Sequence, residues 1–395
     1  MYMDYITVRQ AAEKWNVTMR QVQLYLKDNR IAGALRPGHD WLIPANADKP
    51  ERSRRKKQSP PQKSLSSDLA EVIAEASLPL PCYNPDAILD TVSAERLRLQ
   101  YKAELAYLRG DFELTKRCYQ KTQGDDVSKL RASSVAIASA ISTGDYILYK
   151  EIETYLKSII ETNIDALMTT TAELSLDTAY VSAFAPNMVS NLLKNGDFSV
   201  LPIQLRPTAA FFRAKYYMCL GKFERALDIA QTALNFCDTE RGISIRDIYL
   251  RIECAKACCG LNFIDRARRY LSDAVNIYLP HGFITPFVEA MTSLGGLLEQ
   301  CLEREFQVYY DDIMRQWEYV SLNWVMFHNQ FTKNNITTIL TPRETEIALL
   351  AARRVPYKEI SAQFNISLGR VKAIIHEIYG KLFVKNRNEL SQYIL

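Results

Sequence analysis

Apolar residues recur at helical spacing along most of the chain, and the pattern is clearest near the C-terminus. In "ISLGRVKAIIHEIYGKL", residues 366–382, Val371, Ile375, Ile378 and Leu382 follow one another at steps of four, three and four. This spacing places them on one face of an α-helix, which predicts that they face a core. Basic side chains fall on the other faces, where a partner can reach them.

Two shorter helices are predicted directly upstream. Thr341 and Glu344 stand three residues apart in "LTPRE", the spacing of a capping box that begins a helix. In "YKEISAQFN", Ile360 and Phe364 share the inner face of a second helix. "NIS" then forms a turn, and Ser367 caps the long helix that follows.

The outer faces of that last helix carry candidate contacts to DNA. Arg370, Lys372, Ala373 and His376 lie away from the apolar face. The helix N-terminus at Ser367 and the ammonium of Lys372 suit phosphate oxygens, and Arg370 can reach a guanine edge. A short helix, a tight turn and a capped helix with basic residues in its first turn suit the major groove.

A second compact unit is predicted at the N-terminus, in residues 1–48. "VRQAAEKWN" has helical spacing, and Thr18 is a natural N-cap for "MRQVQLYLKDN". We place Val22 and Leu26 on the inner face of that helix, with Met19 beside them. "IAGALRPGHDWLIP" predicts two short strands around a Pro-Gly turn. Helix, turn, helix and hairpin are the plan of a small winged helix-turn-helix.

Residues 49–85 are predicted to be a linker rich in basic residues, proline and serine. The run "RSRRKK" within it is either solvated linker or a non-specific contact to phosphates.

Residues 86–335 are predicted to be helical throughout. A short sequence motif recurs in this region. It has Gly or Asn at a turn and an aromatic residue or Ile two positions later, as in "LRGDFEL", "STGDYIL", "KNGDFSV", "CLGKFERAL" and "GLNFIDRA". Glycine ends one helix, and the aromatic side chain starts the packing of the next. The separations are uneven, so we expect a degenerate array of helical hairpins. A plain helical domain with ordinary turns is the alternative.

An apolar stripe marks the last helix of this region, in residues 305–331. Steps of three and four residues place its members on one helix face. They are Phe306, Tyr310, Ile313, Trp317, Val320, Trp324 and Phe327. We interpret the helix as one that closes the array, with a partner or dimer surface as the alternative.

Charge is distributed unevenly, although the net charge of the 395 residues is only +4. Residues 1–58 hold 12 Lys or Arg against 6 Asp or Glu, and residues 341–395 hold 9 against 5. The ends therefore carry +6 and +4, which leaves −6 for the centre. Basic ends suit the phosphate backbone of a nucleic acid.

Several classes of protein are disfavoured. No stretch reaches the roughly 18–20 apolar residues of a membrane helix, and the N-terminus lacks the pattern of a signal peptide. Cys254, Cys258 and Cys259 lack the paired spacing of a zinc site. The four His residues stand beside no nucleophile motif, and there is no phosphate-binding glycine loop. We expect a cytoplasmic protein that is not an enzyme and uses no metal or cofactor.

Residues 336–395 resemble the C-terminal DNA-binding domain of LuxR-type transcription regulators. The resemblance runs without gaps through "LTPRE", "KEIS", "IYGKL" and "VKNRNEL". It implies a four-helix fold whose helix from Ser367 onward enters the major groove with Arg370, Lys372 and Ala373 facing DNA. It also implies that Lys358, Lys381 and Arg387 lie near the DNA backbone.

The sequence departs from the LuxR pattern at four positions. Arg370 stands where Thr is common, Ala373 and Ile374 stand where polar residues are usual, and Phe383 replaces a usual Gly. A groove face with Ala and Ile loses hydrogen bonds to bases, while both side chains can touch thymine methyl groups.

The N-terminal unit resembles the winged helix-turn-helix of excisionase and MerR-type proteins, through "AAEKWNVT", "RIAGA" and "HDWLIP". The resemblance implies that its second helix enters the major groove and that its wing touches the minor groove. Trp41 is expected to anchor the wing to the core. The implied DNA contacts are Thr18, Arg20, Gln21 and Tyr25 on the helix, Arg36 and His39 on the wing, and Lys27 and Arg30 at the backbone.

The best copy of the motif that recurs in residues 86–335, "FFRAKYYMCLGKFERALDIAQTAL", resembles the tetratricopeptide repeat. Small and large side chains occupy the places that this helical hairpin needs. They are Ala214, Gly221, Phe223, Ala226 and Ala233.

Taken together, the fold class is mostly α, with helix-turn-helix modules at both ends of a helical-repeat centre. We expect a transcription regulator that binds double-stranded DNA as a homodimer. A protein, peptide or small-molecule effector in the groove of the repeats would control how the two ends are presented. The alternatives are an interaction scaffold with weak or lost DNA binding, and an excisionase-like factor that sets the direction of recombination.

Overall fold

The computed structural model describes residues 4–27, 30–38, 40–50, 64–237, 242–302, 306–333, 340–382 and 384–394. The chain divides into two compact units, Met1–Gln62 and Lys63–Leu395. Helices dominate the described residues, which confirms the mostly α fold class.

The first unit packs two helices on a two-stranded sheet. Its elements are β1 (Tyr5–Thr7), α1 (Val8–Trp15), α2 (Met19–Lys27) and β2 (Leu42–Pro44). Thr7 and Gln10 form a capping box at the start of α1. The Thr18 hydroxyl accepts a hydrogen bond from the Gln21 backbone NH at 3.2 Å, which confirms it as the cap of α2. The core comprises Ala11, Ala12, Trp15, Val22, Tyr25, Leu26, Ile31 and Ile43.

Two details of this unit differ from the sequence-based expectation. The hairpin between its predicted strands is reduced to a single antiparallel bridge between Leu35 and Leu42. Strand β2 instead pairs antiparallel with β1, with Ile6 opposite Ile43. Three residues are too few to show the alternation that would have predicted β1. Met19 is 54% exposed, so it does not share the inner face of α2.

The second unit is helical. Its helices are α3 (Leu65–Glu75), α4 (Ile88–Thr91), α5 (Glu95–Leu108), α6 (Phe112–Gln120), α7 (Asp126–Thr143), α8 (Tyr146–Thr162), α9 (Ala166–Ser182), α10 (Asn191–Asn195), α11 (Arg206–Cys219), α12 (Phe223–Leu234), α13 (Ile245–Gly260), α14 (Ile264–Tyr278), α15 (Thr285–Leu302), α16 (Gln307–Thr332), α17 (Pro342–Ala352), α18 (Tyr357–Gln363), α19 (Leu368–Leu382) and α20 (Arg387–Ile394). Short 3-10 turns lie at Pro85–Ala87, Pro186–Met188 and Leu279–His281.

Part of the expected linker belongs to the folded unit. Ser64 caps α3, and the side chains of Leu69, Val72 and Ile73 on this helix are buried. Leu80 then pairs with Ile243 through a β-bridge. The apolar face of α3 thus packs like any core helix, and the linker is shorter than residues 49–85. The run "RSRRKK" lies outside the described residues.

The recurrent Gly or Asn residues do stand at helix ends. Each has positive φ, between +61° and +83°, a conformation that glycine and asparagine adopt most easily. They are Gly110, Gly144, Gly196, Gly221 and Asn262. Helices α5 and α6, α7 and α8, α11 and α12, and α13 and α14 pack against each other across short connections. Whether these pairs form a tetratricopeptide array stays a prediction.

Helix α16 packs against α7 and α15 with its aromatic stripe inward. Ile313 and Phe327 are buried, and the Trp324 indole NH donates to the Ser182 carbonyl at 2.7 Å. Asn323 donates to the Ser142 carbonyl at 2.8 Å. These contacts bond α16 to the ends of two other helices, as expected of a helix that closes the domain.

The C-terminal helices pack directly on the helical region, where the sequence led us to expect a separate domain. Helix α18 contacts α13, and α17 contacts α15. The Arg353 guanidinium donates to the carbonyl of Cys219, the last residue of α11, at 2.9 Å. Gly221 lies so close to Val355 that a side chain at position 221 would collide with it. The end of α11 thus forms part of the seat for the last four helices.

Gly221→Ala should lower the free energy of unfolding more than Gly124→Ala. Both glycines have positive φ, +67° and +89°, so an alanine costs about 1–2 kcal/mol at either. Nothing lies within 4 Å of a methyl group added at Gly124. Only Gly221→Ala carries the further cost of displacing Val355. Urea denaturation of both variants measures the difference.

A double variant separates the two costs. Val355→Ala removes the colliding methyl groups, so Gly221→Ala should cost less in that background than in the wild type. Equal losses from Gly221→Ala in both backgrounds would contradict the packing of Val355 on this turn.

Candidate nucleic-acid interface

Helices α18 and α19 form a helix-turn-helix in which the apolar faces of the two helices pack in one core. Asn365 in the turn has a φ of +49°, and the Ser367 hydroxyl accepts from the Arg370 backbone NH at 3.1 Å. The capping box of Thr341 and Glu344 begins α17 as expected. The shared core contains Ile360, Phe364, Val371, Ile375, Ile378 and Leu382. The elements predicted from helical spacing and capping are therefore confirmed.

The opposite face of α19 is open to solvent. Ser367, Arg370, Lys372, Ala373 and His376 are all exposed. Lys358, on α18, is exposed as well. A capped helix N-terminus with two cationic side chains in its first turns offers hydrogen-bond donors and positive charge to one approaching surface. This geometry suits a polyanion.

Two other residues of this module have structural contacts. Ile374 is only 7% exposed, so it belongs to the core and not to the groove face, contrary to our expectation. Arg387 donates to the carbonyls of Ala351 and Val355 at 2.5 and 2.6 Å. Its guanidinium thus supplies hydrogen bonds to carbonyl groups at the end of α17 and in the loop that follows. Phe383 lies outside the described residues.

Two acidic side chains pair with cations of the module. Lys381 bonds both carboxylate oxygens of Glu344, at 2.7 and 2.9 Å. Glu377, which we did not single out from the sequence, lies 3.5 Å from Arg370 on the exposed side of α19. The spacing of seven residues, two helical turns, is the signal that would have found it. Any anion that binds the Arg370 guanidinium must therefore compete with Glu377.

The N-terminal unit exposes most of its candidates. Thr18, Arg20, Lys27 and Arg36 are exposed, and Gln21 and Arg30 are partly buried. The Arg36 guanidinium lies over the half-buried Trp41 ring at 5.6 Å, which agrees with Trp41 as an anchor of the wing. His39 lies outside the described residues.

Tyr25 was wrongly predicted to contact DNA. Its side chain is 2% exposed. Tyr25 stands three residues after Val22 and directly before Leu26, so it falls on the same buried face of α2. The Arg30 guanidinium covers its ring at 5.2 Å.

Buried charges line the boundary between the C-terminal helices and the helical region. A cavity of about 110 Å³ there is lined by Lys256, Ser293, Glu346 and Gln363, among others. Burial raises the pKa of Glu346 to about 7, against the attraction of Lys256 and a hydrogen bond from Ser293. Lys256 itself donates to Glu253 at 2.8 Å. Since Lys256 already has a partner in Glu253, Glu346 gains little from ionising.

The described part of the chain has buried cysteine thiols but neither a candidate metal site nor a membrane-spanning helix. No group of three or more His, Cys, Asp or Glu residues could hold a metal there. Burial raises the pKa of the Cys254, Cys258 and Cys259 thiols, which are core side chains. No described helix is long and apolar enough to cross a membrane.

The fold and the exposed basic face define a helix-turn-helix DNA-binding module at the C-terminus. Residues 338–394 match the family model "Bacterial regulatory proteins, luxR family", which confirms the resemblance in this segment. Such a domain is typical of transcription regulators. Comparisons with curated proteins and with solved structures found no match. The MerR-like and tetratricopeptide-like resemblances of the other segments stay predictions.

Glu346→Gln should alter stability in a pH-dependent way. The pKa of Glu346 lies above its ordinary value of 4.5, so the protonated form stabilises the fold below about pH 4.5. That stability is lost as the pH rises through about 7. The neutral Gln variant should match the wild type near pH 4.5 and exceed it by about 1–3 kcal/mol above pH 7.

Glu344→Gln, two residues earlier on the same helix, is the matched control. Although burial opposes it, hydrogen bonds from Lys381 and the Thr341 backbone lower the pKa of Glu344. This variant should therefore lose stability at neutral pH, the opposite sign. Urea denaturation at several pH values compares the two variants, and a gain from both at neutral pH would disprove the assignment.

Proposed function

We propose that the protein is a sequence-specific DNA-binding transcription regulator, with α19 as its groove-binding helix. The observation that carries this proposal is the exposed face of α19, where Arg370 and Lys372 follow a capped helix start while the other side is buried. Such a helix can approach a duplex without unfolding any part of its core.

The candidate residues divide into two roles. Ser367 at the helix N-terminus, Lys358 and Lys372 are suited to phosphates, which position the protein but carry no sequence information. Arg370 is the side chain best suited to a base edge, and guanine offers it two acceptors. Ala373 contributes no hydrogen bond but can contact a thymine methyl group.

A second DNA contact is proposed for the N-terminal unit. Arg20 and Lys27 on α2 and Arg36 near the wing are exposed cations. Their placement fits a helix in the major groove and a wing in the adjacent minor groove. We further propose that the regulator acts as a dimer on two half-sites.

The helical region is proposed to control the presentation of α19. Helices α17 and α18 rest on α15 and α13, so any shift of these supporting helices changes the position of the groove-binding helix. A ligand that binds one arrangement better than another would shift the balance between them.

An interaction scaffold is the second candidate, favoured by one observation. Ala373 and the Arg370–Glu377 ion pair leave the groove face of α19 with few free hydrogen-bonding groups. The salt dependence of DNA binding separates the two candidates. A groove-binding regulator loses affinity steeply as salt rises and keeps a sequence preference, whereas a scaffold shows neither.

Arg370→Ala should weaken binding to the selected site by about 1–3 kcal/mol and relax the preference at one base pair. Lys372→Ala should weaken binding to all sequences alike and reduce the salt slope by about one. The binding site comes from library selection with the full chain, and fluorescence anisotropy measures the affinities.

Arg315→Ala is the control for these two variants. Arg315 is an exposed cation on α16 whose side chain is 77% accessible, so its loss should leave DNA binding unchanged. If Arg370→Ala keeps both the affinity and the base preference of the wild type, Arg370 does not contact a base.

Deletion of residues 1–62 should shorten the DNA footprint. These residues form the first compact unit, so their removal leaves the second unit with its own core. Footprinting of both proteins on the selected site measures the protected length. An identical footprint would remove the N-terminal unit from the DNA.

A further inference from the structure

A cavity of about 420 Å³ lies among the helices of the central region. Its walls come from α5, α7, α9, α11 and α13, together with the segment that follows α3. Pockets of this size accommodate small organic ligands. The side chains that line it have both aromatic and charged groups, and the charges are not evenly placed.

One end of the cavity has more cations than anions. Arg131 donates to Glu104 at 3.0 Å, which pairs these two side chains. Arg246 lies close enough to be destabilised by the charge of Arg131. Burial first, and then that like charge, lower the pKa of Arg246. Within the described residues, Arg246 has no ion pair or hydrogen bond.

Arg131 also has unused hydrogen-bonding capacity. Its Nε is buried and finds no acceptor among the described residues. A buried donor without a partner costs free energy unless a ligand or water satisfies it. Arg131 and Arg246 thus both line this end of the cavity, and their guanidinium groups have more donors than the described residues satisfy.

The other end is electrically balanced. The Tyr107 hydroxyl donates to Glu289 at 2.5 Å, and Lys215 lies 3.5 Å from the same carboxylate. Among the described residues, three cations and two carboxylates line the cavity, so these side chains leave one positive charge in excess, at the end with Arg131 and Arg246. A ligand with one negative charge would neutralise it.

The space between the two ends is lined by aromatic rings. Phe211 packs on Phe212 and on Tyr249, with ring centroids 5.0 Å apart in each pair. Such walls bind apolar or aromatic groups and exclude water from the charged end. A phosphate monoester would bring nearly two negative charges, more than the excess here, so a carboxylate is the better match.

We propose that this cavity binds an organic acid, with its carboxylate between Arg246 and Arg131 and its apolar body along Phe211 and Tyr249. The acid is either a free small molecule or the C-terminal residue of a short peptide, since both present the same chemistry. Its role as an effector rests on the proposed function, whereas its binding does not.

The cavity is connected to the seat of the groove-binding module. Lys215 lines both this cavity and the smaller one beside Glu346. Arg246 lies in the first turn of α13, on which α18 rests. Helix α11 ends at Cys219, whose carbonyl accepts a hydrogen bond from Arg353. A ligand that joins α7 to α13 through its carboxylate acts on the helices that support α19.

Calorimetric titration of the full chain without DNA tests the proposal. The probes are 4-phenylbutyrate and N-acetyl-Leu-Phe, each compared with its neutral amide. We expect at least one acid to bind and its amide to bind tenfold or more weakly. Stronger binding of one acid than of the other identifies the source of the carboxylate. No binding of either acid up to millimolar concentration overturns the proposal.

Substitutions locate the carboxylate. Arg246→Gln should weaken binding of the acid about tenfold to a hundredfold and leave binding of the amide unchanged. Arg246→Lys keeps the charge and should restore part of the affinity, which excludes a mere folding defect. Arg315→Gln, on the surface of α16, should have no effect. Unchanged acid binding by Arg246→Gln would overturn the assignment, whatever DNA binding shows.

Discussion

The position of α19, the proposed groove-binding helix, depends on how the last four helices dock on the helical region, where the end of α11 provides a seat for Arg353. The C-terminus of a helix carries partial negative charge and unpaired carbonyls. Arg353 fills this site at Cys219 and covers the Phe184 ring at 5.3 Å. Burial lowers the pKa of Arg353, so this guanidinium depends on that carbonyl. Gly221 then leaves room for Val355. Together these contacts make the C-terminal module part of the larger unit.

Charged side chains and a small cavity lie behind this seat. Glu346 is held where burial opposes its ionisation, beside a lysine that another glutamate already binds. A well-packed apolar contact would hold the module more firmly. A carboxyl whose ionisation burial opposes and a small cavity both weaken such an interface relative to close apolar packing. Because allosteric coupling amounts to about 1–3 kcal/mol, an interface of this kind is within reach of a small ligand.

Local features of the sequence were sufficient to predict much of the fold. Helix caps at Thr18, Thr341 and Ser367, the left-handed turns at Gly or Asn, and the buried face of α19 all depend on neighbours within a few residues. The exposed candidates of α19 follow from the same periodicity. For such elements, spacing and capping chemistry carry nearly all the information.

What could not be predicted depends on contacts distant in sequence. The pairing of Ile6 with Ile43 and the docking of Val355 on Gly221 join segments that share no local pattern. Tyr25 and Ile374 lie at the margin of a helix face, where tertiary packing decides which side chains are covered. The resemblance to DNA-binding families placed Tyr25 on the groove side, but a tyrosine adjacent to Leu26 extends the apolar face. The cavity with Arg131 and Arg246 needs α7 and α13 side by side.

Two DNA-binding modules in one chain, the arrangement that we propose, would explain why neither needs an optimal groove face. Arg370 shares its guanidinium with Glu377, and Ala373 offers no hydrogen bond, so α19 alone has limited base discrimination. A second module on the same chain binds at high effective concentration once the first is engaged. The affinity then comes from both sites together, and the free-energy penalties for wrong base pairs at the two sites add up. In the proposed arrangement, a small change in the position of α19 would alter occupancy of the joint site, because binding would require both modules to fit at once.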